Sequence, residues 1–152
     1  MKTPIEVAKW YFKQGVKSDG VGSWLFAQGD DVHWCAAFAL ACCRESGNWM
    51  EASLKQRGVL RSVPELVMMA KQRGLWRGSL DQTLFNLPTA DYVGALYVVE
   101  RAGNPHGHVG VLDVVESGFV RGIEGNVTDS VKSISRKAEK VTGYVMVPRG
   151  GV

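Results

Sequence analysis

Cys35 lies in the stretch Asp31-Val32-His33-Trp34-Cys35-Ala36-Ala37-Phe38, where a polar segment turns into an apolar helical pattern. A helix N-terminus presents unpaired backbone N–H groups and a partial positive charge, so a thiolate is favoured there over the same group in mid-helix. Those amides, that of Cys35 included, are also placed to hold a developing oxyanion, a contact commonly worth about 3 kcal/mol per donor. Cys42 and Cys43 follow two turns later and have neither advantage. A nucleophilic thiol needs a base, and the best candidate is in Pro105-His106-Gly107-His108-Val109-Gly110-Val111-Leu112, where strand-like alternation begins at His108. A histidine at the first position of a strand is held by the sheet yet reaches the sheet's end, where a helix tip can meet it. His106, two residues earlier in a Gly/Pro loop, is expected to be more mobile. The base in turn needs an orienting partner, and Ile123-Glu124-Gly125-Asn126 closes the neighbouring strand. Residues two apart on a strand share a side, so Glu124 and Asn126 can both face the histidine. Either could fix the imidazole tautomer, and Glu124 would also stabilise the imidazolium.

The elements that must position these groups are legible in outline. Thr3-Pro4-Ile5-Glu6 combines an N-cap threonine, a proline at the first helical position and a glutamate at the third, and predicts a helix running to about Gly15. Lys17 to Asp31 is rich in glycine, serine and aspartate and reads as a loop anchored by Trp24-Leu25-Phe26. A second helix is expected from near Val32 to Glu45, closed by Ser46-Gly47, with Cys35 in its first turn. A third begins at the capping box Ser62-Val63-Pro64-Glu65, buries Leu66, Met69 and Ala70, and stops at Gly74. Met68 and Met69 are read as core packing. Trp10, Tyr11 and Phe12 span three directions of the first helix, so at least one is expected to face outward.

After Pro88 the chain changes to short β-branched runs, read as strands at Ala95–Glu100, His108–Val115, Phe119–Glu124, Lys132–Ser135 and Val141–Val147. Glu116-Ser117-Gly118 is a hairpin turn signal. Helices first and antiparallel strands afterwards indicate an α+β fold rather than alternating βαβ units. At 152 residues the chain is most economically one domain, 1–152, with one active site.

With 45% apolar and 22% charged residues the composition is that of a globular chain. The longest apolar run, Trp34 to Cys43, is too short to span a bilayer, and Met1-Lys2-Thr3-Pro4 leads into a helix without the apolar region of a signal peptide. Synthesis in the cytoplasm is therefore expected. Three cysteines, two of them adjacent, do not form a disulfide framework, so reduced thiols are expected. The net charge of +3 is mildly basic, with a loose group at Lys132, Arg136, Lys137 and Lys140, but without a recognition motif or dense basic stripe it does not indicate nucleic acid. Zinc would suit the ligand types of Cys35, Cys42, Cys43, His33, His106 and His108, but not their spacing: there is no Cys-x-x-Cys, and adjacent helical cysteines point about 100° apart. No metal and no cofactor is expected.

Three stretches in order, Trp34-Cys35-Ala36-Ala37-Phe38, Gly107-His108-Val109-Gly110 and Glu124-Gly125-Asn126, resemble the cysteine, histidine-dependent amidohydrolase/peptidase family, called CHAP, which is related to NlpC-type and papain-like hydrolases. The similarity runs from about Ile5 to Val147, including the closing Gly143-Tyr144-Val145-Met146-Val147. The resemblance implies a papain-like fold, N-terminal helices packed on a C-terminal antiparallel sheet, and cleavage of amide bonds in peptidoglycan. It makes Cys35 the nucleophile, His108 the base, Glu124 the orienting acid and Asn126 an accessory polar residue. Some members carry a glutamine or tyrosine before the cysteine as an oxyanion donor; here Trp34 stands there, and the second donor is unassigned. Some relatives use calcium near the nucleophile loop, where this chain has Asp19, Asp30 and Asp31 but no Asp-x-Asp-x-Asp loop.

The leading expectation is thus a peptidoglycan amidase or endopeptidase with a Cys-His-Glu triad. It would be delivered either as a phage endolysin through a membrane pore or as an antibacterial effector exported by secretion machinery and restrained by an immunity protein, acting on the wall from the periplasm or exterior. Trp24, His33, Trp34 and Asn104 are expected at the substrate rim. The alternatives are a non-catalytic wall-binding or phage-structural module of the same fold, and an acyltransferase or small-molecule amidase using the same thiol.

Overall fold

The computed structural model describes residues 2–15, 34–47, 63–78, 90–101, 104–127 and 130–148. Among the described residues three helices precede most of the sheet: α1 (Pro4–Lys13), α2 (Cys35–Glu45) and α3 (Val63–Gln72). The strands are β1 (Trp76–Gly78), β2 (Leu96–Arg101), β3 (Asn104–Glu116), β4 (Phe119–Val127), β5 (Ser130–Lys137) and β6 (Gly143–Val145). They form a six-stranded antiparallel sheet in the order β1-β6-β2-β3-β4-β5, so the chain is a mixed α+β protein.

Helix α1 begins as its sequence dictates. The Thr3 amide donates to Glu6 Oε2 at 2.7 Å and the Glu6 amide donates to Thr3 Oγ1 at 3.3 Å, a reciprocal capping box. Its buried face is Ile5, Val7, Ala8 and Tyr11, while Trp10 and Phe12 stand exposed on either side of Tyr11. Helix α2 is apolar all round and is buried from Cys35 to Cys43, as befits an element enclosed by α1 on one side and by β3 and β4 on the other. Helix α3 buries Val63, Leu66, Val67 and Ala70, with Met69 half-buried against the same core. Met68 departs from the core-packing expectation and is 57% exposed, because it lies nearly half a turn away from Leu66 and Ala70.

The sheet is apolar on both faces. In β2, Leu96 and Val98 join the helices, whereas Tyr97 and Val99 join a second cluster with Leu112, Val120, Val141 and Tyr144. Strands β2 to β5 follow one another as neighbours, and the β3–β4 hairpin turns at Ser117-Gly118, with Gly118 at φ +76°. Three elements differ from expectation. Strand β3 starts at Asn104, four residues before His108, since pairing resumes at Arg101↔Asn104 beyond an irregularity in the β2–β3 register. Strand β1 is only three residues long, too short to show an alternation, and is recruited by β6 at the sheet edge. The expected strand over Val141–Val147 narrows to β6, preceded by a 3-10 turn at Ala138–Lys140. Among the described residues no helix is long and apolar enough to cross a membrane.

Helix α2 is seated on the sheet at Gly125. A Cβ added there would lie 2.6 Å from Phe38 Cβ and 2.8 Å from Trp34 Cζ3, so the first turn of the helix rests directly on the β4 backbone. Gly125→Ala should push that turn away and destabilise the protein by about 1–3 kcal/mol. A urea denaturation midpoint equal to that of the parent would show that the helix does not need this close approach.

Candidate active site

Cys35 is the first residue of α2, behind Trp34 at the N-cap. Trp34 contributes no side-chain capping bond, so it does not compete for the first amides as a serine or aspartate in its place would. The first bond within the helix runs from the Phe38 amide to the Trp34 carbonyl at 2.8 Å, leaving the N–H groups of Cys35, Ala36 and Ala37 without an intrahelical acceptor. Cys35 itself is 4% exposed.

The sheet brings an imidazole to this tip. His108 pairs with Val99 on β2, and two residues further along β3 Gly110 pairs with Glu124 on β4. Nε2 of His108 lies 2.6 Å from Glu124 Oε1, and the Cys35 thiol is hydrogen-bonded to the same ring. An ionised carboxylate only accepts, so Nε2 carries the proton, and in the neutral ring Nδ1 is the nitrogen left with a lone pair to take a proton from the thiol. The His108 side chain keeps 20% of its surface exposed, whereas that of Glu124 has none.

Glu124 is a buried anion held by two further residues. Arg136 on β5 approaches as a fork, Nε donating to Oε2 and Nη2 to Oε1, both at 2.7 Å. The Tyr97 hydroxyl also donates to Oε2. Tyr97 reaches the carboxylate because glycine stands at 110 and 122 on adjacent strands; a Cβ at either position would collide with the phenol ring. Burial alone would push the Glu124 carboxyl up, but the bonds from Arg136, His108 and Tyr97 and the charge of His108 outweigh it and bring it down to about 2. Burial likewise opposes the imidazolium; the hydrogen bonds with Cys35 and Glu124, and the charges of both, prevail and hold His108 up at about 9. The other thiols lie in a different environment: burial pushes Cys43 up to about 12 and Cys42 well above its ordinary value.

Of the residues singled out by sequence, Cys35, His108 and Glu124 are brought together. Asn126 and Asn104 lie in β4 and β3, and only their backbone is described. The β4–β5 register is irregular between Glu124 and Val127, so strand alternation no longer decides which way residue 126 points. Trp34 is fully buried against Phe38 and Gly125, a packing position rather than the expected rim. Trp24 and His33 lie outside the described residues, as do Asp19, Asp30 and Asp31. Among the described residues no group of three or more histidine, cysteine, aspartate or glutamate side chains could hold a metal ion. Sequence reasoning left Tyr97 aside and saw Arg136 only as part of a basic group. The available signal for Tyr97 was the pair of glycines, Gly110 and Gly122, in otherwise β-branched strands.

No family model and no curated protein matches this chain. Among solved structures, the crystal structure of Ly7917 is similar over 49% of this chain and 32% of that chain, at 17% identity and a TM-score of 0.33. This chain thus spans about a third of the length of that protein, and so limited a likeness carries no argument.

The two shifted groups set opposite limits on stability. His108 is raised from 6.5 to about 9, so its contribution is complete below pH 6.5 and is lost as pH rises through 9. Glu124 is lowered from 4.5 to about 2, so its contribution is complete above pH 4.5 and is lost as pH falls through 2. Urea midpoints should therefore be highest between pH 4.5 and 6.5 as far as these groups decide. His108→Gln should flatten the alkaline decline, which in the parent amounts to at most about 3 kcal/mol. An alkaline decline unchanged in that variant would contradict the assignment.

Proposed function

We propose that this protein is a cysteine amidohydrolase of papain-like architecture that cleaves amide bonds of bacterial peptidoglycan. The observation that carries the chemistry is the His108 ring bridging the Cys35 thiol and the buried Glu124 carboxylate. Support for the papain-like arrangement comes from helices preceding an antiparallel sheet, with the thiol on a helix tip and the imidazole and carboxylate on adjacent strands. The substrate class rests on the resemblance of the Trp34–Phe38, Gly107–Gly110 and Glu124–Asn126 stretches to the CHAP family.

In this reading Nδ1 of His108 takes the thiol proton, and the sulfur attacks the carbonyl carbon of the scissile amide. The developing oxyanion faces the free amides of the α2 tip, the Cys35 N–H among them. Collapse of the tetrahedral intermediate breaks the C–N bond as the imidazolium passes its proton to the leaving amine. Water, deprotonated by the neutral imidazole, then attacks the thioester, and the thiolate leaves and recovers its proton. Glu124 holds the ring in one tautomer throughout and stays ionised. Delivery as a phage lysis enzyme or as an exported antibacterial effector suits the same chemistry.

Cys35→Ala should abolish digestion of purified peptidoglycan, a loss of roughly 10³-fold or more, while leaving the circular dichroism spectrum unchanged. Mass spectrometry of the fragments should show new amine and carboxyl ends at one type of amide bond. Undiminished digestion by the Cys35→Ala protein would leave a binding or structural role; turnover of small amides with no wall fragments would indicate a small-molecule amidase or acyltransferase.

A further inference from the structure

We propose that Tyr97 and Arg136 are positioning residues of this site: together they lock the Glu124 carboxylate in one plane and set how strongly it holds the proton of His108. The inference deepens the reading above and rests on it. A carboxylate offers about four lone-pair directions, and here four donors occupy them. Oε1 takes His108 Nε2 and Arg136 Nη2; Oε2 takes Arg136 Nε and the Tyr97 hydroxyl. Rotating the carboxylate out of this plane would break all four bonds.

The choice of residues goes beyond neutralising a buried charge. Directly opposite Glu124 on β5 stands Lys132, the position an ordinary cross-strand ion pair would use, yet Lys132 is exposed. The guanidinium comes instead from Arg136, which is in register with Val120 and reaches Glu124 four residues further along β4. Only a guanidinium supplies a planar fork that fixes the carboxylate plane; an ammonium would supply a point charge. Tyr97 occupies a slot that requires glycine on two adjacent strands, an arrangement that weakens strands and is unnecessary for a merely apolar contact. Both donors also draw charge away from the oxygen facing His108, and Arg136 places a fixed cation near the imidazolium. Removing either should leave a more basic carboxylate, so that His108 keeps its proton to higher pH while the ring is held less firmly.

The test is the titration of the His108 imidazole by NMR in the full-length Cys35→Ala protein, alone and with Tyr97→Phe, Arg136→Met or Arg136→Lys added; a His108→Gln spectrum assigns the resonance among the three histidines. Tyr97→Phe and Arg136→Met should each raise the midpoint by about one pH unit, and Arg136→Lys, which restores the charge, should return it towards the parent value. In the Cys35-containing protein, Tyr97→Phe should lower kcat about tenfold with KM unchanged and carry the alkaline limb of the pH profile upward with the midpoint. Midpoints that stay at the parent value in Tyr97→Phe and Arg136→Met, with stability alone reduced, would overturn the proposal and leave both residues as packing. Should Arg136→Met fail to fold, Tyr97→Phe decides, since its ring still fills the slot. Because the titration needs no turnover, it can fail while Cys35→Ala still abolishes digestion, and it can succeed where digestion proves independent of Cys35.

Discussion

A carboxylate with no solvent contact is the constraint around which the sheet of this protein is arranged. Removing such an ion from water costs several kcal/mol even after the surroundings relax, and the cost is met only if every lone pair finds a donor. Glu124 finds them on three strands besides its own: Tyr97 on β2, His108 on β3 and Arg136 on β5. The register of four consecutive strands is thereby tied to one functional group. Slipping β4 by a single residue would turn Glu124 towards the helices and bring Ile123 or Gly125 among the polar groups. Four polar side chains, otherwise unfavourable to bury, become mutually satisfied only in the native register.

The second half of the site is fixed from the opposite direction. Helix α2 has no polar face between Cys35 and Cys43 to orient it by solvent, and its position is set by apolar contact, Tyr11 edge-on to Phe38 from α1 and Phe38 and Trp34 on Gly125 from β4, together with the Tyr11 hydroxyl donating to Glu45 Oε1 at its far end. Gly125 follows Glu124 directly, so the residue that seats the helix and the residue that orients the imidazole are neighbours in sequence facing opposite ways. A thiol on the first residue of that helix is therefore located relative to His108 by packing rather than by a loop. The contrast with Cys42 and Cys43 on the same helix is instructive, because burial drives both thiols up, aided at Cys42 by the charges of Cys43 and Glu45, and no imidazole offsets it.

What the sequence made legible follows from the range of the interactions concerned. The Thr3–Glu6 box, the Ser117-Gly118 turn and the alternation of β2 to β4 are decided within a few residues, and each forms where local chemistry places it. Cys35 and His108 could be named because cysteine and histidine occur only three times each and their local settings are distinctive, and Glu124 because it closes the strand beside His108. Tyr97 and Arg136 could not, since their partnership with Glu124 depends on cross-strand register: Arg136 is twelve residues away in sequence and its strand neighbour is Val120. The same dependence explains Asn126, where a register irregularity ends the alternation from which its orientation was inferred. Trp34 illustrates the converse, a residue beside the nucleophile whose adjacency in sequence suggested a rim but whose bulk the core takes up.

The charge balance of the cluster explains why a cation belongs behind the carboxylate. Glu124 and Arg136 cancel, and the Cys35–His108 pair is neutral whether its proton rests on sulfur or on nitrogen. Passing that proton across therefore creates a dipole in the buried site but no net charge, and in a medium of low dielectric constant that difference is large. A carboxylate without its guanidinium would leave the site with a net negative charge in both forms, which would oppose thiolate formation while favouring the imidazolium. Arg136 removes the first effect and moderates the second. It does so from β5 through its fork on the carboxylate, while the partner of the sulfur is the imidazole. The cost of burying Glu124 is thus tied to the proton transfer itself, and the polar core of the sheet and the reactivity of the helix tip are one electrostatic unit.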